Sequence, residues 1–227
     1  MQTLWVFGHS ACTNYNSPNS ESWPSILAKK IGYSLINQSY PASDNLVIFT
    51  NIIESNHKIK ADDLVIVGWS HPSRKTFVLN KDNPHQQACL TRSMKINTST
   101  RTFIRSEGTY GDANANIDFW KKMVPVKKSI EYYDDWYDKY FDIDEQRINF
   151  KAYLNATELL LNGKNYIPFY FSKESVKDVL SENKNNNLYW LEYLQSNKRY
   201  TVGNPSHHFN SEGHRQWANI IFDKLNA

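Results

Sequence analysis

Asp63-Leu64-Val65-Ile66-Val67-Gly68 is an apolar run opened by an acid and closed by glycine. Successive side chains of a strand point to opposite faces, so this run leaves neither face for water. It predicts the middle strand of a parallel sheet covered on both sides. Upstream, residues 45–54 carry Leu46, Val47, Phe49, Ile52 and Ile53 at helical spacing, and 33–37 reads as a short strand. Pro24 opens a helix over 25–31 that Gly32 stops, and 3–7 is a second apolar run, closed by Gly8. Strand, helix, strand, helix, strand in this order predicts βαβ units with right-handed crossovers.

Downstream the rhythm breaks. Residues 75–145 are polar and poorly periodic, and are expected to form a partly helical insertion over the open end of the sheet. Residues 145–161 then read as a helix with Ile148, Ala152, Leu159 and Leu160 in apolar positions. Residues 166–171 read as a fourth strand and 176–180 as a short helix, while 189–194 is an aromatic segment of undecided state. Near the C-terminus, Ser206-His207-His208-Phe209-Asn210 ends on a good helix N-cap. Trp217, Ile220, Ile221 and Leu225 follow at helical spacing. No repeat and no linker is visible. The expectation is one domain over 1–227, a three-layer α/β/α sandwich with the insertion at 75–145.

Bulk properties exclude more than they assign. With 26 basic and 23 acidic residues the net charge is +3, too balanced to argue for nucleic acid. No stretch is long and apolar enough for a membrane helix, so no membrane partner is expected. The N-terminus lacks a basic region followed by a long apolar one and reads as a first strand; a cytoplasmic site of synthesis is expected. Cys12 and Cys89 do not make a disulfide framework. The Asn, Lys and Ile content fits an AT-rich genome, viral or low-GC bacterial, and a viral origin would allow association with the virion. The 14 Tyr, 11 Phe and 7 Trp suggest aromatics beyond what a core needs, as on a carbohydrate-binding or interface surface.

In an open parallel sheet, ligands bind outside the carboxyl ends of the strands. Three polar turns are expected there: Gly8-His9-Ser10-Ala11-Cys12, Pro41-Ala42-Ser43-Asp44-Asn45, and Gly68-Trp69-Ser70-His71-Pro72-Ser73-Arg74. The loop 204–209 completes the ring. This order and spacing resembles the four blocks of the SGNH (GDSL-type) hydrolase superfamily. The resemblance implies a flavodoxin-like α/β/α fold and ester hydrolysis without a cofactor. It makes Ser10 of Gly8-His9-Ser10 the nucleophile and His208 the general base. Ser10, Ala42 and Ser70 become the oxyanion donors, with Ala42 at a glycine position and Ser70 at an asparagine position. The acid expected two or three residues before the histidine is missing, since Ser206 and Pro205 stand there. A backbone carbonyl can orient an imidazole in its place, leaving a Ser10–His208 dyad.

Around these, His9, Asn45, His71, Arg74 and His207 are candidate substrate-binding residues. Arg74 suits an anionic substrate group. His214 reads as a structural residue of the last helix and Cys12 as packing behind Ser10, while the alternative for His9 is an exposed turn residue. The aromatic run 132–141 is of the kind that stacks on sugar rings, and the resemblance implies an O-acetyl carbohydrate ester as substrate. Two alternatives stay open. One is a binding or structural protein that has kept the shape and lost the chemistry. The other is a metal-dependent hydrolase built on His9, His71, His207 and His208, although no spacing matches a known metal motif. The sequence assigns no metal ligand and no oligomeric state.

Overall fold

The computed structural model describes residues 1–13, 21–40, 43–78, 87–91, 101–105, 139–140, 142–180, 187–201 and 208–226. In chain order come β1 (Thr3–Phe7), α1 (Trp23–Ile31), β2 (Ser34–Asn37), α2 (Asn45–Ser55) and β3 (Leu64–Trp69). Then follow β4 (Arg74–Val78), β5 (Gln87–Thr91) and β6 (Arg101–Arg105). The chain continues through α3 (Ile143–Leu160), β7 (Asn165–Tyr170), α4 (Lys173–Val176), β8 (Leu188–Tyr189), α5 (Trp190–Ser196) and α6 (Ser211–Leu225). The main sheet has the order β2-β1-β3-β7-β8. Every neighbouring pair is parallel, and Leu64 of the central strand stands opposite Leu4 on one side and Asn165 on the other.

Alternation along the strands builds the layers. Leu4, Val6, Leu64, Ile66 and Phe169 face one side, where they meet Trp23 and Leu27 of α1, Trp190 of α5, and Trp217 and Ile221 of α6. Trp5, Phe7, Val65, Val67, Trp69 and Tyr170 face the other and meet Ile48 and Ile52 of α2 with Phe150 and Leu154 of α3. All six residues of β3 are buried, as its unbroken apolar run requires. Burying one large apolar side chain contributes about 1.5–3 kcal/mol. An exposed ion pair such as Lys29–Glu21 contributes about 0–1 kcal/mol, so the two apolar clusters hold the fold.

Several boundaries and faces differ from the sequence expectation. Helix α1 begins at Trp23, two residues early, because the buried Nδ1 of His214 accepts from the Trp23 N–H at 3.2 Å. It ends where expected, with Gly32 in the left-handed region at φ 74°. In α3 the buried residues are Phe150, Leu154 and Thr157, whereas Ile148 is 70% and Leu159 78% exposed. Apolar residues occur on both sides of that helix, and the side carrying Phe150 wins the core. Asp142 caps α3 by accepting from the Asp144 and Glu145 amides at 2.8 and 3.4 Å, so Asp142-Ile143-Asp144 is a helix start. The described parts of the insertion are helical at 139–140 and from Ile143, where α3 begins, and they also include strands. Strands β4, β5 and β6 form an antiparallel meander, with Arg74 opposite Thr91 and Gln87 opposite Arg105. Thr76-Phe77-Val78 and Thr102-Phe103-Ile104 are short β-branched and aromatic runs suited to strands. The segment 189–194 divides into the end of β8 and most of α5, and the short helix expected at 176–180 is instead α4, ending at Val176. The five described tryptophans are all core residues, at most 4% exposed, so they supply no excess for a binding surface.

The sheet edge that carries the turns is packed to contact. A Cβ at Gly68 would stand 2.3 Å from Phe169 Cζ and 2.8 Å from Cys12 Sγ. Gly68→Ala is therefore expected to destabilise the protein by about 1–3 kcal/mol, the usual range for overpacking. Urea unfolding checks this, and an unchanged midpoint would contradict the packing.

Candidate active site

β1 runs straight into one turn of 3-10 helix, Ser10–Cys12, and every carbonyl of that turn is tied down. The Ser10 carbonyl accepts from the Thr13 hydroxyl at 3.0 Å, Ala11 from the Trp23 indole at 2.8 Å, and Cys12 from the Asn37 amide at 2.9 Å. Ser10 is 8% exposed, and its hydroxyl makes no hydrogen bond to another described residue. Cys12 behind it is fully buried, and burial pushes its thiol up to about 12. A thiol that hard to ionise is packing, as expected, and is no nucleophile.

The second and third turns are clamped to each other. The Asn45 side chain donates to the Ser70 carbonyl at 3.1 Å and accepts from the Ser70 N–H at 2.8 Å. Asn45 is thus a strut between the turns, and both of its side-chain polar atoms are occupied. Asp44, buried beside it, caps α2 by accepting from the Val47 N–H at 2.8 Å. The Ser70 hydroxyl is buried with no partner among the described residues. Arg74 reaches back with Nη1 to the Ser43 carbonyl at 3.5 Å. Asn45→Ala is expected to cost about 1–3 kcal/mol, because it strands two buried backbone groups of Ser70. A thermal melt at neutral pH measures it, and a wild-type melting temperature would mean that the clamp is dispensable.

Phe171, immediately after β7, gathers the first and third turns. The rings of His9 and His71 each lie 5.8 Å from its ring, as does the Arg74 guanidinium. His9 is buried, which sets aside the alternative of an exposed turn residue, and its ring packs on Phe171. Its Nδ1 accepts from the Ala11 N–H at 3.3 Å, and its Nε2 has no partner among the described residues. Burial holds its imidazole well below the ordinary range, helped by the charges of Arg74 and His208. His71 accepts at Nδ1 from the Ser73 N–H at 3.1 Å, and burial, then Arg74 and Arg147, lower it to about 4.

His208, partly buried, precedes a bridge between Phe209 and Thr201. Asn210 secures this end of the loop, donating to the Arg199 carbonyl at 2.7 Å and capping α6 through Gly213 at 2.9 Å. The charge of His208 adds, after burial and Arg74, to the lowering of the His9 imidazole. His207 and Ala42 lie outside the described residues, as do residues 132–138 and 141 of the aromatic run. His214 is buried between α6 and the start of α1, with its ring 5.5 Å from that of Phe209. Among the described residues no three His, Cys, Asp or Glu side chains are grouped to hold a metal ion, which gives the metallohydrolase alternative no ligand set there. Sequence reasoning missed Phe171; its place after the fourth parallel strand was the available signal.

A five-stranded parallel sheet in this order, flanked by helices, with polar turns at its carboxyl edge, is the SGNH-hydrolase type of α/β fold. The structural likeness spans the whole chain. The psychrotrophic esterase EstA from Pseudoalteromonas sp., solved in a form inhibited by monoethylphosphonate, superposes with a TM-score of 0.52 at 11% identity, over 100% of this chain and 97% of that one. TesA superposes with a TM-score of 0.50 at 11% identity, over 99% and 98%. No protein-family model matches the sequence, and no curated protein sequence does. Among the described residues no helix is long and apolar enough to cross a membrane.

Proposed function

We propose that this chain hydrolyses esters, with Ser10 as nucleophile and His208 as general base. His208 takes the Ser10 proton as Oγ attacks the acyl carbonyl. The N–H groups of Ser10 and Ala42, with Ser70, hold the oxyanion. Collapse expels the alcohol, which receives the proton from His208, and leaves an acyl-Ser10 ester. Water, deprotonated by His208, then releases the acid. One observation supports the reading: the charge of His208 acts on His9, the residue before Ser10. The other described histidines of that edge, His9 and His71, are poor bases at neutral pH, because burial holds both below the ordinary range.

An O-acetyl group on a carbohydrate is the proposed substrate, supported by the SGNH resemblance and by the aromatic residues of 132–141. An acyltransferase would form the same acyl-enzyme and pass it to a sugar hydroxyl. The test is a fluorophosphonate probe read by intact mass on wild type, Ser10→Ala and His208→Ala. A single adduct on wild type that is absent from Ser10→Ala and strongly reduced in His208→Ala supports the reading. A folded wild type that takes no adduct would remove it in favour of the binding-protein alternative.

A further inference from the structure

We infer that the Nε2–H of His9 and the hydroxyl of Ser70 are paired donors to one oxygen of the bound ester, the acyl carbonyl oxygen that becomes negative during attack. This makes His9 a catalytic residue, and it rests on the ester-hydrolase reading above.

The tautomer comes first. Nδ1 of His9 accepts from the Ala11 N–H, so the proton of the neutral ring sits on Nε2. That N–H has no partner among the described residues, although the whole residue is only 1% exposed. Ser70 is 0% exposed, and its hydroxyl also lacks a partner there. An unmade buried hydrogen bond is costly, so native folds seldom keep such groups idle without a ligand or ordered water to meet them. Here two stand on adjacent strand ends. His9 follows Gly8, and Ser70 lies two residues past Gly68. The two glycines approach so closely that a Cβ at Gly8 would stand 3.0 Å from the Gly68 carbonyl oxygen.

The surroundings select the ligand. His9 is packed on the apolar ring of Phe171 and lies in the field of Arg74 and His208. Asp44, the buried acid of the neighbouring turn, is directed to the amide at the start of α2. A cationic ligand would meet donors and positive charge. An ester oxygen gaining negative charge meets two neutral donors that need no reorganisation, the arrangement that stabilises a tetrahedral oxyanion. Because burial keeps His9 neutral, this donor persists through the neutral range and does not compete with His208 for the serine proton.

The experiment compares turnover of p-nitrophenyl acetate by wild type, His9→Phe, His9→Asn and Ser70→Ala, each checked for folding by circular dichroism. His9→Phe keeps a ring against Phe171 and removes the donor; kcat is expected to fall by about 10²–10³ with KM little changed. His9→Asn keeps a neutral N–H donor and an acceptor for Ala11, and is expected to recover most of that loss. Ser70→Ala is expected to fall less than His9→Phe. A folded His9→Phe variant with wild-type kcat overturns the role of His9 and leaves the hydrolase standing. A folded wild type that neither turns over the ester nor takes a fluorophosphonate overturns both. If His9→Phe does not fold, nitrogen-15 NMR of wild type decides. The His9 Nε2–H resonance is expected to shift downfield on phosphonylation, and an unmoved resonance overturns the inference.

Discussion

Ser10→Ala is expected to lower kcat for p-nitrophenyl acetate by about 10⁴-fold or more, with KM little changed and the fold intact. The substitution removes one oxygen from a turn whose structure does not depend on it, since the Ser10 hydroxyl makes no hydrogen bond to another described residue. What ties the turn is backbone: the carbonyls of Ser10, Ala11 and Cys12 are all engaged by other residues. A stability change well beyond about 0.5 kcal/mol would contradict this account. His208→Ala is expected to cost a similar factor, because a serine hydroxyl without its base is a weak nucleophile at neutral pH. Nucleophile and base act on one proton, so the double variant should be hardly worse than either single one. Additive losses would mean that His208 acts elsewhere, and wild-type turnover by Ser10→Ala would remove the serine from the chemistry. Cys12 cannot take over, since it is buried and its thiol is pushed up to about 12.

The fold was legible where burial is two-sided. Residues 64–67 are apolar at every position because both faces of β3 are covered, and that pattern admits few other structures. Strand β8 was not legible, because two residues, Leu188 and Tyr189, contain no period. Ile148 and Leu159 misled because a helix apolar on both sides does not declare which side the sheet will take. Of the candidate site, the turns that follow β1 and β3 were legible, because they depend on local chain signals. It was not legible in its contacts. The burial of His9 comes from Phe171, and the engagement of Asn45 comes from the Ser70 backbone. Such pairings join segments that touch only after the sheet has formed, and no local period encodes them.

Acid should weaken the fold well before its carboxylates are protonated. His214 is 2% exposed, and its Nδ1 accepts from the Trp23 N–H at the start of α1. A proton on that nitrogen would set two donors face to face at the positive end of a helix. Burial lowers this imidazole from an ordinary 6.5 to about 4. Between those values the unfolded chain binds the proton and the folded one does not, so stability rises with pH across the window. The contribution is fully present above about 6.5 and is lost as pH falls towards 4. At about 1.36 kcal/mol per unit, the whole window corresponds to about 3 kcal/mol, and the step from pH 7 to pH 5 to about 2 kcal/mol. His71 and His9 are shifted in the same direction, also chiefly by burial, and steepen the dependence. Urea unfolding at a series of pH values should therefore give a slope of about one proton for each buried histidine near pH 5. His214→Gln offers an acceptor that does not titrate in this range. It should remove about one proton from that slope. An unchanged slope in His214→Gln would mean that His214 is protonated in the folded protein, and the buried bond to Trp23 would then have to be redrawn.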